Sequence, residues 1–438
     1  MKNSFFTILI FLSFSLSLES QNDSIIGSQL TENLFAHRYA EAAMFFDTSV
    51  KSKINKTVLE QVVMSLETSV GKYKKQVSFQ QQQDSVYNFL FYYSEFEKAT
   101  LDLKFTFNKN HKVVGFFLVP HQDFEQKPGS QVADNFTSTL LKIRSKNIDL
   151  PGILTQTKIE ARNKKILAIL VHGSGPQDRD ETIGPNKPFK DLAENLATKG
   201  ISVFRFDKRT HFAPKSLNLD KLTIDDEVTD DVVNIVHYFK NNDTLKNYKI
   251  IVIGHSLGAM MAPRIAEMLR DTLAGMVMMA ANARSLEEVM LEQINYLQNR
   301  QPTEELKKYL ADLKHRTEFL HSGQFDKDSP AASLPFNIPA TYWMSLHTYN
   351  AVTTLKNIKT PTLILQGERD YQVTMTDFKI WKDVMNNNKN VSLKSYPKLN
   401  HLFMEGTGDS LPTEYMTVNN IPNYVTEDIF QWVLSIGN

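Results

Sequence analysis

The chain has 438 residues, with 49 Lys+Arg against 49 Asp+Glu, 42% hydrophobic residues and no cysteine. At roughly 150 residues per domain this length suggests about three domains. The even charge excludes the basic excess of a nucleic-acid binder and the charge-rich composition of a long disordered tail. Without cysteine there are no disulfides, thiolate metal sites, cysteine nucleophiles or lipid-modified cysteines, so the chemistry must come from oxygen and imidazole groups.

The chain opens on Met1-Lys2-Asn3 and an apolar run from Phe5 to Leu18, interrupted by Thr7, Ser13, Ser15 and Ser17 and ended by Glu19. A positive start, about 7–15 apolar residues and then small polar ones form a secretory signal pattern, whereas a membrane span needs about 20 apolar residues. Residues 1–20 are read as a removable signal peptide on an exported, periplasmic or secreted protein that keeps no membrane span, with an uncleaved anchor as the alternative. Loss of Lys2 and Glu19 leaves the charge balanced.

Residues 21–120 read as a small α+β accessory domain. Helical spacing predicts one helix over 31–46 and a second over 56–73, where Val58, Val62, Leu66 and Val70 stand four apart. Strands are predicted over 76–79, 85–94, 99–107 and 112–119; in the third, Leu101, Leu103, Phe105 and Phe107 alternate with polar residues. Gln80 to Gln83 reads as a solvated hairpin tip. Residues 121–135, polar and containing Pro128 and Gly129, read as a linker.

From 136 to 438 strands alternate with helices, which predicts an α/β fold, a mostly parallel sheet flanked by helices. Buried strands are expected at 165–171, 201–206, 249–253, 273–279, 362–365 and 391–396, with a helix over 223–239. About eighty residues separate Met279 from Thr362, more than one crossover helix requires. Ser285 and Glu288 form a capping box for one helix there. Leu306, Leu310, Leu313 and Leu320 mark a second, and Tyr342, Trp343 and Tyr349 follow. Residues 284–355 are read as a helical cap enclosing an apolar pocket, the other reading being extra core packing.

Gly254-His255-Ser256-Leu257-Gly258 follows one of these strands and precedes a helix through Met260, Met261 and Ile265. Serine at so tight a strand-to-helix turn needs glycine on both flanks, because neighbouring backbone passes too close for side chains. Ser256 is therefore the candidate nucleophile of a nucleophile elbow, with Gly254 and Gly258 as its elbow glycines. A serine hydroxyl needs a base, and the base needs a carboxylate to orient it. Asp370 lies just past the strand 362–365, with Glu368 as the competing acid, and His401 follows the last strand. Backbone N–H groups of Leu257 and of Ser174, or alternatively Gly173, would form the oxyanion hole. The acidic and basic residues at 178–181 and 205–209 read better as an ion-paired loop than as substrate contacts.

Residues from about 140 to 438 resemble the α/β-hydrolase superfamily, in particular bacterial esterases and the serine aminopeptidase group. The likeness rests on the elbow, on the run from His172 to Phe189 and on Phe206 to Thr210. The leading domain resembles a small domain of unknown function found ahead of some exported bacterial hydrolases. The resemblance implies hydrolysis of small-molecule carboxylic esters through Ser256, Asp370 and His401. Rivals are a peptidase that anchors a free amine with Glu287, Glu288, Glu304 or Glu305, and a non-catalytic exported binding protein. With His401 as base, activity should fall below about pH 6.5. No metal site, phosphate cradle or cofactor is expected from the residue spacing, and no nucleic-acid partner from the charge.

Overall fold

The computed structural model describes residues 23, 26–51, 53–83, 87–119 and 135–436. The expected leader at 1–20 and all but residue 135 of the expected linker lie outside the described residues. The chain divides into two compact units, Met1–Lys127 and Pro128–Asn438.

In the first unit helices α1 (26–35), α2 (Tyr39–Ala43) and α3 (Lys56–Val70) precede an antiparallel sheet. The sheet's strands β1 (Tyr73–Gln83), β2 (Asn88–Phe96), β3 (Thr100–Phe107) and β4 (Val113–Val119) lie in sequence order. Leu30, Leu34, Leu59, Val63, Tyr92, Leu103 and Phe105 form the core between helices and sheet. The single helix predicted over 31–46 is broken. His37 takes φ 58°, its N–H bonding to Leu34 O while Arg38 N–H reaches Asn33 O. This closure ends a helix with a left-handed residue. The glutamine run is strand, not hairpin tip: Gln80 to Gln83 pair with Phe91 to Asn88. Backbone pairing is indifferent to side-chain polarity, and β1 is an edge strand.

The second unit is an eight-stranded sheet of β5 (Phe136–Ser145), β6 (Ile148–Thr157), β7 (Ile166–Val171), β8 (Ser202–Phe206), β9 (Lys249–His255), β10 (Leu273–Met279), β11 (Thr362–Gly367) and β12 (Val391–Tyr396). Its order is β12-β11-β10-β9-β7-β8-β6-β5. Strands β12 to β8 run parallel, while β6 joins β8 antiparallel and pairs with β5 as a hairpin. Strand β7 is apolar throughout because both faces are covered. Leu167, Ile169 and Val171 enter one core with α6 (Asp230–Asn241) and α7 (Leu257–Leu269). Ile166, Ala168 and Leu170 enter the other with α4 (Pro188–Thr198) and α13 (Asn423–Ser435). The chain moves outward from β7 to β8 and returns on the other side as β9. The crevice beyond the carboxyl ends of β7 and β9 is thus the reversal point where such sheets hold ligands.

The helix predicted over 223–239 begins with a wider π-helical turn, Asp225–Thr229, before α6. The short α5 (Arg209–Phe212) follows β8, α12 (Met375–Met385) joins β11 to β12, and four helices fill the stretch between β10 and β11: α8 (Leu286–Arg300), α9 (Glu304–His321), α10 (Ala340–His347) and α11 (Ala351–Asn357). The two halves of this insertion pack differently. Tyr342, Trp343, Leu346 and Leu355 belong to the main core. Helix α8 instead lies on the loops after β11 and β12: Gln293 donates to Gln372 O at 3.0 Å, and Tyr296 stacks on Tyr371 at 5.1 Å. Among the described residues no helix is long and apolar enough to cross a membrane.

Candidate active site

Ser256 stands between β9 and α7 with φ 53° and ψ −118°, a conformation costly for any side-chain-bearing residue. Its N–H is held by Met279 O at 2.9 Å. A Cβ at Gly258 would lie 2.2 Å from Val171 O, and one at Gly254 would lie 2.4 Å from Gly258 O. Both flanks of the elbow therefore need glycine, as the sequence pattern implies.

Asp370 and His401 come from the loops after β11 and β12. These loops touch closely: a Cβ at Gly367 would meet Leu399 O at 2.4 Å. His401 Nδ1 donates to Asp370 Oδ2 at 2.7 Å, with both residues 4% exposed. Asp370 Oδ1 accepts from Gln372 N at 2.8 Å and Val373 N at 3.0 Å, and Gln366 Nε2 reaches Oδ2 at 3.2 Å. Asn400 shapes the histidine loop, its Oδ1 accepting from Leu402 N and Met404 N. The competing acid Glu368 is exposed and accepts from Ser395 Oγ, away from His401.

His172, Gly173 and Ser174 follow β7. Gly173 N–H donates to Glu181 Oε1 at 2.7 Å, so it is not free to receive an oxyanion. Ser174 is exposed on the same loop, and Leu257 opens α7. Neither of their N–H groups bonds within the described residues. Ser174 is thereby favoured over Gly173.

The region from residue 186 to 407 matches the family described as serine aminopeptidase, S33. The chain is also 32% identical over 410 residues to the esterase EstD of Thermotoga maritima, spanning 92% of this chain and 93% of that protein. The chain is an α/β hydrolase of the serine aminopeptidase S33 family. Among solved structures, Est1E of Butyrivibrio proteoclasticus aligns at 16% identity and a TM-score of 0.45, covering 68% of this hydrolase and 98% of that chain. An esterase of Pyrococcus furiosus aligns at 17% and 0.46, covering 73% and 98%. Residues 28–116 of the hydrolase match a separate family of unknown function, DUF3887.

Around the hydrolase site lies a buried polar frame that sequence spacing did not disclose. His255, beside Ser256, donates from Nε2 to His401 O at 2.8 Å, and its Nδ1 lies 3.0 Å from Glu181 Oε2. Burial alone would discharge this imidazole, yet the Glu181 carboxylate raises its pKa, and the carboxyl of Glu181 is lowered in turn. Lys208 donates to Gly173 O at 2.7 Å and to Glu227 Oε1 at 2.5 Å, while Tyr342 donates to Glu227 Oε2. Arg179 grips Asp207 with two bonds, Arg205 reaches Asp180, and Arg209 pairs with Asp231. The acids and bases at 178–181 and 205–209 are thus structural partners of one another and of their neighbours, as expected.

His172 packs between Phe189 and Phe206 with no partner for its Nε2. Burial pushes its pKa down to about 4, against the opposing pull of Glu181. As pH falls below about 6.5 the unfolded chain takes up this proton before the folded one does. The stability of the folded form is complete above that pH and declines towards pH 4, by at most roughly 3 kcal/mol from this group. Urea unfolding between pH 7 and 4.5 should show a shallower decline for His172→Phe than for the wild type. An unchanged slope would assign the acid sensitivity elsewhere.

Proposed function

We propose that this hydrolase cleaves carboxylic esters through an acyl-enzyme formed on Ser256. The buried 2.7 Å bond from His401 Nδ1 to Asp370 Oδ2, beside the strained elbow, carries the reading. It leaves Nε2 of His401 as the nitrogen that accepts the Ser256 proton as Oγ attacks the ester carbonyl. Asp370 stabilises the imidazolium that forms, and the N–H groups of Ser174 and Leu257 receive the developing oxyanion. Such donors contribute roughly 3–4 kcal/mol each in comparable serine enzymes. His401 then protonates the leaving alkoxide, and a water molecule activated by the same nitrogen releases the acid.

Esters are favoured over amino-terminal peptides because three of the carboxylates that could anchor a free amine, Glu287, Glu288 and Glu304, each already have a partner. Glu287 accepts from His321 and His347, Glu288 closes the capping box with Ser285, and Glu304 pairs with Lys307. The name of the Thermotoga relative supports the same choice. A panel of nitrophenyl esters of increasing chain length, run beside aminoacyl anilides, should give the higher kcat/KM on an ester. Faster turnover of the anilides would sink the ester reading in favour of a peptidase. Export is part of the proposal and rests on residues 1–20; fractionation that finds the protein in the cytoplasm of its native host would refute it.

A further inference from the structure

We propose that Glu287, His321 and His347 form a binding site for a divalent transition metal, best suited to Zn2+, that staples together helices α8, α9 and α10. Glu287 lies in the first turn of α8, and the two histidines are the last residues of α9 and α10. Glu287 Oε1 lies 2.9 Å from His321 Nε2 and 3.1 Å from His347 Nε2, and the three ligand atoms fall within 4.8 Å of one another.

Two histidine nitrogens and one carboxylate oxygen are a zinc donor set, with metal–ligand distances near 2.0–2.2 Å. Tetrahedral ligands at that range stand roughly 3.3 Å apart, so the two glutamate–histidine distances need to open by only a few tenths of an ångström, and the two histidine nitrogens already lie within 4.8 Å of each other. A second observation points the same way. Glu287 is 2% exposed, yet its Oε2 has no hydrogen-bond partner. A buried carboxylate oxygen without a partner is unfavourable, and a metal taking both oxygens would satisfy it.

A cavity of about 220 Å³ adjoins the cluster, lined by Glu287, His347, Met260 and Tyr349, with room for a water as a further ligand. The imidazoles are partly exposed, which gives the ion a path in. The guanidinium that lines this cavity, that of Arg284, is already neutralised by Asp377 and Glu292. The site would hold the start of α8, the helix that further along rests on the loops carrying Asp370 and His401. No step of the ester chemistry runs through it.

Chelator-stripped full-length protein, titrated with ZnCl2 by calorimetry and dialysed for metal analysis, should bind one equivalent and gain thermal stability. His321→Ala and His347→Ala should each weaken binding by about 100-fold or more, since even second-shell losses cost about 10–100-fold. Glu287→Gln should do the same, while His237→Ala, on the exposed face of α6, should bind as the wild type does. Circular dichroism checks that each variant folds. Binding that is unchanged in either cluster histidine variant overturns the proposal. So does uptake too weak to survive dialysis, which would mark the cluster as a hydrogen-bonded contact only.

Discussion

Ser256→Ala should abolish labelling by a fluorophosphonate and lower kcat on a nitrophenyl ester by roughly 10⁶-fold, with the melting temperature within about 2 °C of the wild type. The reason for so large a loss with so little damage is local. The Ser256 side chain makes no capping hydrogen bond to α7, and the elbow is held by Ser256 N–H on Met279 O and by the glycine contacts. Alanine keeps all of these and removes only the oxygen proposed to attack. Persistent labelling in the variant would place the nucleophile elsewhere, and a folded wild type that never labels would favour the binding-protein reading.

Asp370→Asn should cost roughly 10⁴-fold in kcat with KM little changed. An asparagine here has no satisfactory orientation. With its Nδ2 towards His401 and Gln366, it presents a donor to two donors. With its Nδ2 towards Gln372 N and Val373 N, it does the same on the other side. The first orientation drives the imidazole proton onto Nε2, where it blocks acceptance of the serine proton. The second breaks the turn that presents the acid. Retention of more than about a tenth of wild-type kcat would show that another group orients His401. Glu368 is poorly placed for that, being turned to Ser395.

The centre of the site was legible because each of its parts carries a local signal. Ile250 to Ile253 running into Gly-x-Ser-x-Gly encodes a strand, a turn and a helix in one stretch, and Asp370 and His401 each follow a strand at once. What escaped depends on packing between distant segments. Glu181 and His255 are 74 positions apart and meet only when the loop after β7 folds over the elbow. Glu287, His321 and His347 close from three helix ends, so no fixed spacing marks them. The β5–β6 hairpin was missed for another reason: Thr137 to Leu140 are four consecutive exposed residues on an edge strand, without the alternation that betrays a half-buried one. In the first unit, helical periodicity continued through His37 although the backbone turned left-handed there.

The backbone angles at Ser256 set chemistry against durability. At φ 53° and ψ −118° glycine would sit more comfortably than serine, and such conformations cost of order 1–3 kcal/mol. The fold gains nothing from a side chain at this position and would be firmer without one. A search for heat-resistant variants that ignored turnover would therefore be drawn towards erasing the proposed nucleophile, so any such screen on this scaffold must select for activity as well as survival.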